Sequence, residues 1–363
     1  MSVSISTDDR GTEATQLSYD GNAGELLGLW VKIILLSIVT LGFYRFWGET
    51  RLRRYFWNHT GLMGERFDYD GTGGELFVHF LMASFGLAAL LILPYAALFS
   101  GAPLPIFILL ILLDYVAFIF LAFMGIYGST RYRVSRTLWR GMRGGLDGSS
   151  FAYALRGFGY LLLAGITGGW STPWQIVGLW RYQTNNLGIG DWKASFEGEG
   201  GKLFLPFLAI VGFSVLGIIT GVIIATTFIG ASGGFNSLDS SQLPPQAVLG
   251  IVLGVLAYFT LAMIGWVFFQ TRQITYLAAN SHFGRVGFSA DIGFGPLFGL
   301  VFVNALLLVV TLGLASPFVR QRTLRFACRS LKIYRAEELL QLTQAPGRRE
   351  KAGGEGLVQS FNV

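Results

Sequence analysis

An acidic residue in the middle of an apolar run is where side-chain chemistry stands out in this chain: Asp114, within Leu-Leu-Asp-Tyr-Val. A carboxylate at bilayer depth costs several kcal/mol unless it is paired or wetted, which makes it a candidate proton or cation site by default. Its candidate partners are Lys32, His79 and Arg156, cations or titratable groups inside other apolar runs. Lys32 and Arg156 sit near the starts of their runs, where a long side chain can equally snorkel to the headgroups. The plain alternative for Asp114 is a neutral or ion-paired structural residue. Thr40 and Thr167 join this candidate set because each precedes a glycine where an apolar run breaks. Interrupted helices commonly build substrate sites in transporters.

A second pattern interleaves cations with aromatic rings: Trp47, Arg51, Arg53, Arg54 and Tyr55, then Trp174, Arg181 and Tyr182. Further arginines run from Arg131 to Arg143 and from Arg320 to Arg335. Nucleic acid would suit such stretches. Their place beside apolar helices instead favours anionic lipid, since each juxtamembrane cation gains about 1 kcal/mol from a negative leaflet. Trp and Tyr prefer the same interface. Membrane lipids are therefore the expected partners, and nucleic acid is not.

Other chemistry is sparse. Glu197-Gly-Glu-Gly-Gly-Lys202 imitates a phosphate loop, but Leu203 stands where a Ser or Thr would hold magnesium. His59, His79 and His282 lack metal-ligand spacing, and Cys328 is a single thiol. We expect no metal, no cofactor and no enzymatic activity.

The elements that must position these residues are membrane helices. Of 363 residues, 52% are hydrophobic and only 13% charged, with a mean hydropathy of +0.54. That excludes a soluble enzyme, a disordered chain and a disulfide scaffold. Apolar blocks occupy 25–47, 75–99, 104–127, 150–174, 202–231, 244–271 and 293–318, several long enough to cross a bilayer. The first residues lack a basic, cleavable leader, so the first block is expected to direct insertion. Blocks two and three form a tight hairpin through Ser100–Pro103, and five and six form another. Gly217/Gly221 and Gly250/Gly254 have the spacing that lets membrane helices approach closely.

The chain also overlays on itself. A shift of 127 residues matches Thr40, Gly42, Trp47, Arg54, Tyr55, Gly71 and Gly73 with Thr167, Gly169, Trp174, Arg181, Tyr182, Gly198 and Gly200. A shift of 271 gives a weaker third copy at Thr311-Leu-Gly313, Arg322 and Arg325. Each unit reads as an apolar helix ending in Thr-x-Gly, a basic stretch, a short strand and a glycine turn. Strands are expected near 16–20, 66–70, 193–197, 285–289 and 331–335.

Phe67-Asp-Tyr-Asp-Gly-Thr-Gly-Gly-Glu-Leu-Phe77, with Thr40-Leu-Gly-Phe-Tyr-Arg-Phe-Trp47 and Arg51-Leu-Arg-Arg-Tyr55, resembles the YjgN-like family of bacterial inner-membrane proteins. The resemblance covers roughly 17–335. It implies a location and an architecture but no catalytic residues, the family being of unknown function. The third copy departs from the pattern, with Ser316-Pro-Phe318 at the Trp position and Phe326 at the Tyr position.

Counting charge tests orientation. Seven simple spans put 18 Lys and Arg inside and 5 outside, with four within blocks. If blocks one, four and seven enter and leave on one face, as re-entrant or interfacial helices, the split becomes 23 to 0. We favour the second arrangement, with basic loops and C-terminal tail cytoplasmic.

The expected fold is an all-α, internally duplicated helical bundle with broken helices and short cytoplasmic strands. Its parts are a polar tail at 1–15, membrane halves at 16–143 and 144–284, a third broken-helix unit at 285–335, and a disordered tail at 336–363. The function expected is a small-solute or ion transporter or channel with a site between the halves. The alternative is a non-transporting scaffold or lipid-interacting protein. The two separate on whether Asp114, Thr40 and Thr167 converge on a water-accessible cavity. No substrate or oligomeric state is legible.

Overall fold

Helix starts and breaks follow from local sequence in the computed structural model, which describes residues 6–7, 13–233 and 244–343. Asn22 caps α1 (Ala23–Val39) by accepting from Gly24 N, and Ser149 caps α5 (Ser150–Ile166) by accepting from Ala152 N. Thr72 and Glu75 form a reciprocal capping box at the start of α3 (Gly73–Phe99). The Thr-x-Gly breaks share one geometry. Gly42, Gly169 and Gly313 donate to the carbonyl five residues back, while the threonine hydroxyl accepts from the amide four residues on. This is a Schellman-type stop in which the last two residues are left-handed. A second helix then returns: α2 (Arg45–Asn58), α6 (Thr172–Asn185) and, after α9 (Phe294–Val310), α10 (Ser316–Ser330).

Two pairs are much longer. Helices α3 and α4 (Leu104–Ser135), with α7 (Phe204–Ala231) and α8 (Pro245–Ala279), contain 27, 32, 28 and 35 residues. All four are long and apolar enough to cross a membrane. At 1.5 Å per residue they measure roughly 40 to 52 Å, against roughly 21 to 26 Å for the short pairs. The long pairs pack differently. In α7–α8, Gly221 and Gly254 lie so close that a Cβ on either would meet the other's carbonyl oxygen at 2.7 and 2.5 Å. In α3–α4, Gly86 and Gly125 face nothing within 4 Å.

The all-α expectation is wrong. Strands β1 (Ser6–Thr7), β2 (Glu13–Gln16), β3 (Ser18–Tyr19), β4 (Thr60–Leu62), β5 (Glu65–Tyr69), β6 (Thr137–Trp139), β7 (Met142–Leu146), β8 (Leu187–Ile189), β9 (Trp192–Phe196), β10 (Ser281–Phe283), β11 (Val286–Ala290) and β12 (Leu331–Tyr334) form one antiparallel sheet of twelve strands. Each of the first four helix pairs feeds a hairpin of a three-residue and a five-residue strand. Two hairpins turn through Met63-Gly64 and Arg140-Gly141, with both φ angles positive, the conformation that matches strand twist. The sheet nearly closes into a barrel. Gln16 and Thr15 of β2 pair with Lys332 and Ile333 of β12, while Ser18 and Tyr19 of β3 pair with Gly61 and Thr60 of β4. Only Leu17 separates those two partnerships.

Leu62, Trp139, Met142, Ala194, Phe283 and Val286 fill the ring, joined by Ala336, Leu339 and Leu342. The expected disordered tail is therefore ordered at its start. Ala336–Gln341 forms a 3-10 turn, because Ala336, Leu339 and Leu342 repeat at three-residue spacing and bury one apolar edge in the sheet. Thr343 N donates to Asp191 Oδ1, and Arg140 donates to Leu340 O. The remainder of the expected tail, 344–363, lies outside the described residues. Because β4–β5 and β8–β9 belong to one sheet, the segments that seven simple spans would set far apart lie together at one end of the helices.

Candidate functional site

Asp114 does not gather the partners expected of it. Lys32 is exposed on α1; the His79 ring packs edge-on against Tyr132 at 5.5 Å. The Arg156 guanidinium lies 4.4 Å over the Tyr182 ring and donates to Ala152 O. Among the described residues Asp114 forms no ion pair, and its Oδ2 is enclosed without a hydrogen-bond partner. Thr40 and Thr167 spend their hydroxyls on their own helix ends, donating to Leu36 O at 2.7 Å and Leu163 O at 2.8 Å. Among the described residues no hydrogen bond joins the Asp114 carboxylate to either threonine. The ring holds an apolar space of about 150 Å³ lined by Phe67, Trp139, Met142 and Ile189, beside the C-terminal plug.

The arginine and tyrosine pairs have a specific local job. Arg54 donates to Tyr69 O and Gly71 O, Arg131 to Leu146 O and Gly148 O, and Arg181 to Gly198 O. Each reaches the glycine carbonyl seventeen residues ahead, fastening its helix to the turn that launches the next pair. Thr275 takes the same role on α8 by donating to Ala290 O, and Arg325 on α10 reaches Gly21 O. The adjacent tyrosine looks backward. Tyr55 Oη accepts from Asn22 N and donates to Asn22 O, Tyr182 does both with Ser149, and Tyr276 with Glu199. Arg and Tyr together tie α1–α2 and α5–α6 into the ring, while α3–α4, α7–α8 and α10 use Arg131, Thr275 with Tyr276, and Arg325. The repeated seventeen-residue interval between Arg and Gly was visible in the sequence and unused.

Trp47 and Trp174 close on Gly73 and Gly200, where an added Cβ would lie 2.6 and 2.8 Å from the indole. Their outer faces stay 40% and 43% exposed. Arg53 pairs with Glu49 at 3.2 Å and donates to Tyr69 Oη, and Arg320 of α10 meets Glu49 at 2.7 Å. Of the basic set on α2, Arg51 lies over the Tyr44 ring at 5.6 Å and Arg45 over Phe46 at 5.6 Å, both exposed. What the geometry assembles is an arginine-aromatic collar where the helices leave the ring.

Sequence reasoning missed the helix tips. Leu41 and Leu312 are 90% and 92% exposed, and Ile166 is 85% exposed. Leu41 and Leu312 also hold φ of +51° and +49°, where the second unit places Gly168 at +59°. A side chain in left-handed backbone costs about 1–2 kcal/mol. The Thr-x-Gly pattern itself marked these positions.

The profile of a bacterial protein family of unknown function, DUF898, matches residues 14–360. "Inner membrane protein YjgN" of Salmonella typhimurium is 25% identical over 254 residues, covering 68% of this chain and 58% of the relative. Its Escherichia coli K12 counterpart is 27% identical over 263 residues, covering 69% and 59%. The chain thus spans under three-fifths of the length of these curated relatives. No solved structure matches it.

Proposed function

The chain belongs to the DUF898 family of bacterial proteins of unknown function, and we propose that it is a multi-pass inner-membrane protein that engages anionic lipid and moves no solute. One observation carries this reading: every helix pair is rooted on one strand ring, and the basic residues gather at the same end. The tip Ser100–Pro103 carries no Lys or Arg, nor does the stretch between α7 and α8. By the positive-inside rule the ring faces the cytoplasm, where the leaflet is negative. The recurrence of helix pair and strand hairpin supports descent from a duplicated module. Transport through a site between halves loses support because Asp114, Thr40 and Thr167 do not converge.

The test compares thermal unfolding midpoints of the protein in nanodiscs of phosphatidylglycerol and of phosphatidylcholine. The phosphatidylglycerol midpoint is expected to be higher, and the difference to shrink in high salt and in Arg45→Gln/Arg51→Gln. Equal midpoints at low salt would overturn the reading, as would solute flux abolished by Asp114→Asn.

A further inference from the structure

We propose that the three short hairpins form a one-leaflet wedge, so that the protein favours membrane whose ring-side leaflet is convex. The inference rests on the lipid-engaging reading and adds the shape of membrane that the protein selects.

Depth is fixed by ring contacts between the hairpin tips and the long helices. Phe43 and Phe46 near the α1–α2 tip lie 6.0 and 5.5 Å from Phe77, and Phe46 lies 5.0 Å from Phe80. Trp170 at the α5–α6 tip lies 6.0 Å from Phe204, the first residue of α7. Beyond those levels α3 continues from Phe80 to Phe99 and α7 to Ala231, about 29 and 41 Å further at 1.5 Å per residue. A hydrocarbon core about 30 Å thick takes up the whole of the first length and most of the second. The α1–α2 and α5–α6 tips therefore end at the boundary between headgroups and acyl chains, on the ring side, and the α9–α10 turn is held against α1 by Trp30 Nε1 donating to Leu314 O.

Their surface suits that boundary. Leu41, Leu312 and Ile166 are almost wholly uncovered by protein, while exposed Arg45 follows Leu41 by four residues and can meet the phosphates. The backbone supplies an independent argument. Glycine relaxes a left-handed residue, and Gly168 does so in the second unit, yet the other two tips hold leucine there. An exposed leucine in strained backbone contributes little to packing inside the protein; its side chain is placed to enter hydrocarbon. Shallow apolar insertion of this kind responds to curvature and lipid packing. The cross-section is correspondingly lopsided: among the described residues, ten helices enter the ring-side leaflet region and four continue beyond it.

The experiment reconstitutes the full chain, dye-labelled at Ser100→Cys, into phosphatidylglycerol-containing giant vesicles from which membrane tubes are pulled. Quenching of the external dye reports orientation. Protein whose ring faces outward is expected to be at least twofold denser on the tube than on the vesicle, and protein facing inward to be depleted. In Leu41→Gly/Leu312→Gly both ratios are expected to approach one, while thermal stability holds or rises because backbone strain is released. Equal densities in both orientations for the unsubstituted protein would overturn the wedge, as would glycine variants that melt earlier yet sort unchanged. A wedge that fails while the phosphatidylglycerol preference persists leaves lipid engagement standing; loss of that preference removes both.

Discussion

Replacing Gly254 with alanine should push α7 and α8 apart. An ideal Cβ there lies 2.5 Å from Gly221 O and 3.2 Å from its carbonyl carbon. Ordinary contact begins at 3.4 Å, so the helices must separate by roughly 0.9 Å or rotate. The obstacle is backbone, which no rotamer change can clear. Nor is the seam slack elsewhere: a Cβ added at Gly217 would lie 3.2 Å from the Tyr258 backbone, and one at Gly265 would lie 2.9 Å from Ala209 O. Overpacking of this kind costs about 1–3 kcal/mol, and alanine's helix preference returns at most about 1 kcal/mol. Net destabilisation of about 1–2 kcal/mol is expected. Gly212→Ala on the partner helix α7 supplies the control, because nothing lies within 4 Å of its Cβ position; it should be neutral or stabilising by up to about 1 kcal/mol. Reversible unfolding in mixed micelles, read by the denaturant midpoint, should separate the two variants by about 1–3 kcal/mol. If Gly254→Ala unfolds with Gly212→Ala, the close backbone approach is not what holds this hairpin.

Two further outcomes follow from the ring. Tyr182→Phe removes both hydrogen bonds to Ser149, at 2.9 and 3.0 Å, and should cost about 1–2 kcal/mol. Tyr55→Phe should show a similar loss through Asn22, with faster amide exchange at the start of α1; unchanged exchange would contradict the fastening role. For Cys328, burial pushes the thiol from 9.0 up to about 11. Because the folded value is the higher, the protonated thiol stabilises the fold, and that contribution is lost as pH climbs from 9 towards 11. At pH 8 the thiolate population is about a hundredfold below that of an unshifted thiol. Iodoacetamide should label Cys328 at least tenfold more slowly in folded protein than in denatured protein; equal rates would show the site to be open.

Much of the membrane architecture was legible because it depends on local pattern. Apolar length identified α3, α4, α7 and α8, and Thr-x-Gly identified the three breaks. Alternation around Phe67 and Tyr69, and around Ala194 and Phe196, marked β5 and β9 within a residue. The partners of those strands were not legible. Thr60–Leu62, Thr137–Trp139 and Ser281–Phe283 are too short for a two-residue period to register, and they are strands only because neighbours supply hydrogen bonds. Ring closure was invisible for the same reason, since residues 14–16 and 332–334 meet only in three dimensions. The collar misled in another way. Composition placed Arg54 and Arg181 in a lipid-facing set, whereas their donors serve backbone carbonyls of the glycine turns. A cation count does not tell a guanidinium facing phosphate from one facing a peptide oxygen.

The pairing of β2 with β12 bears on biosynthesis. Strand β2 waits for its neighbour until the ten helices that lie between the two in sequence have been synthesised. All five helical pairs must therefore be made before β2 can pair with β12, and the interval leaves an unsatisfied strand edge. Deleting residues 331–343 would make that interval permanent and hand the nascent protein to proteases and chaperones that recognise open edges.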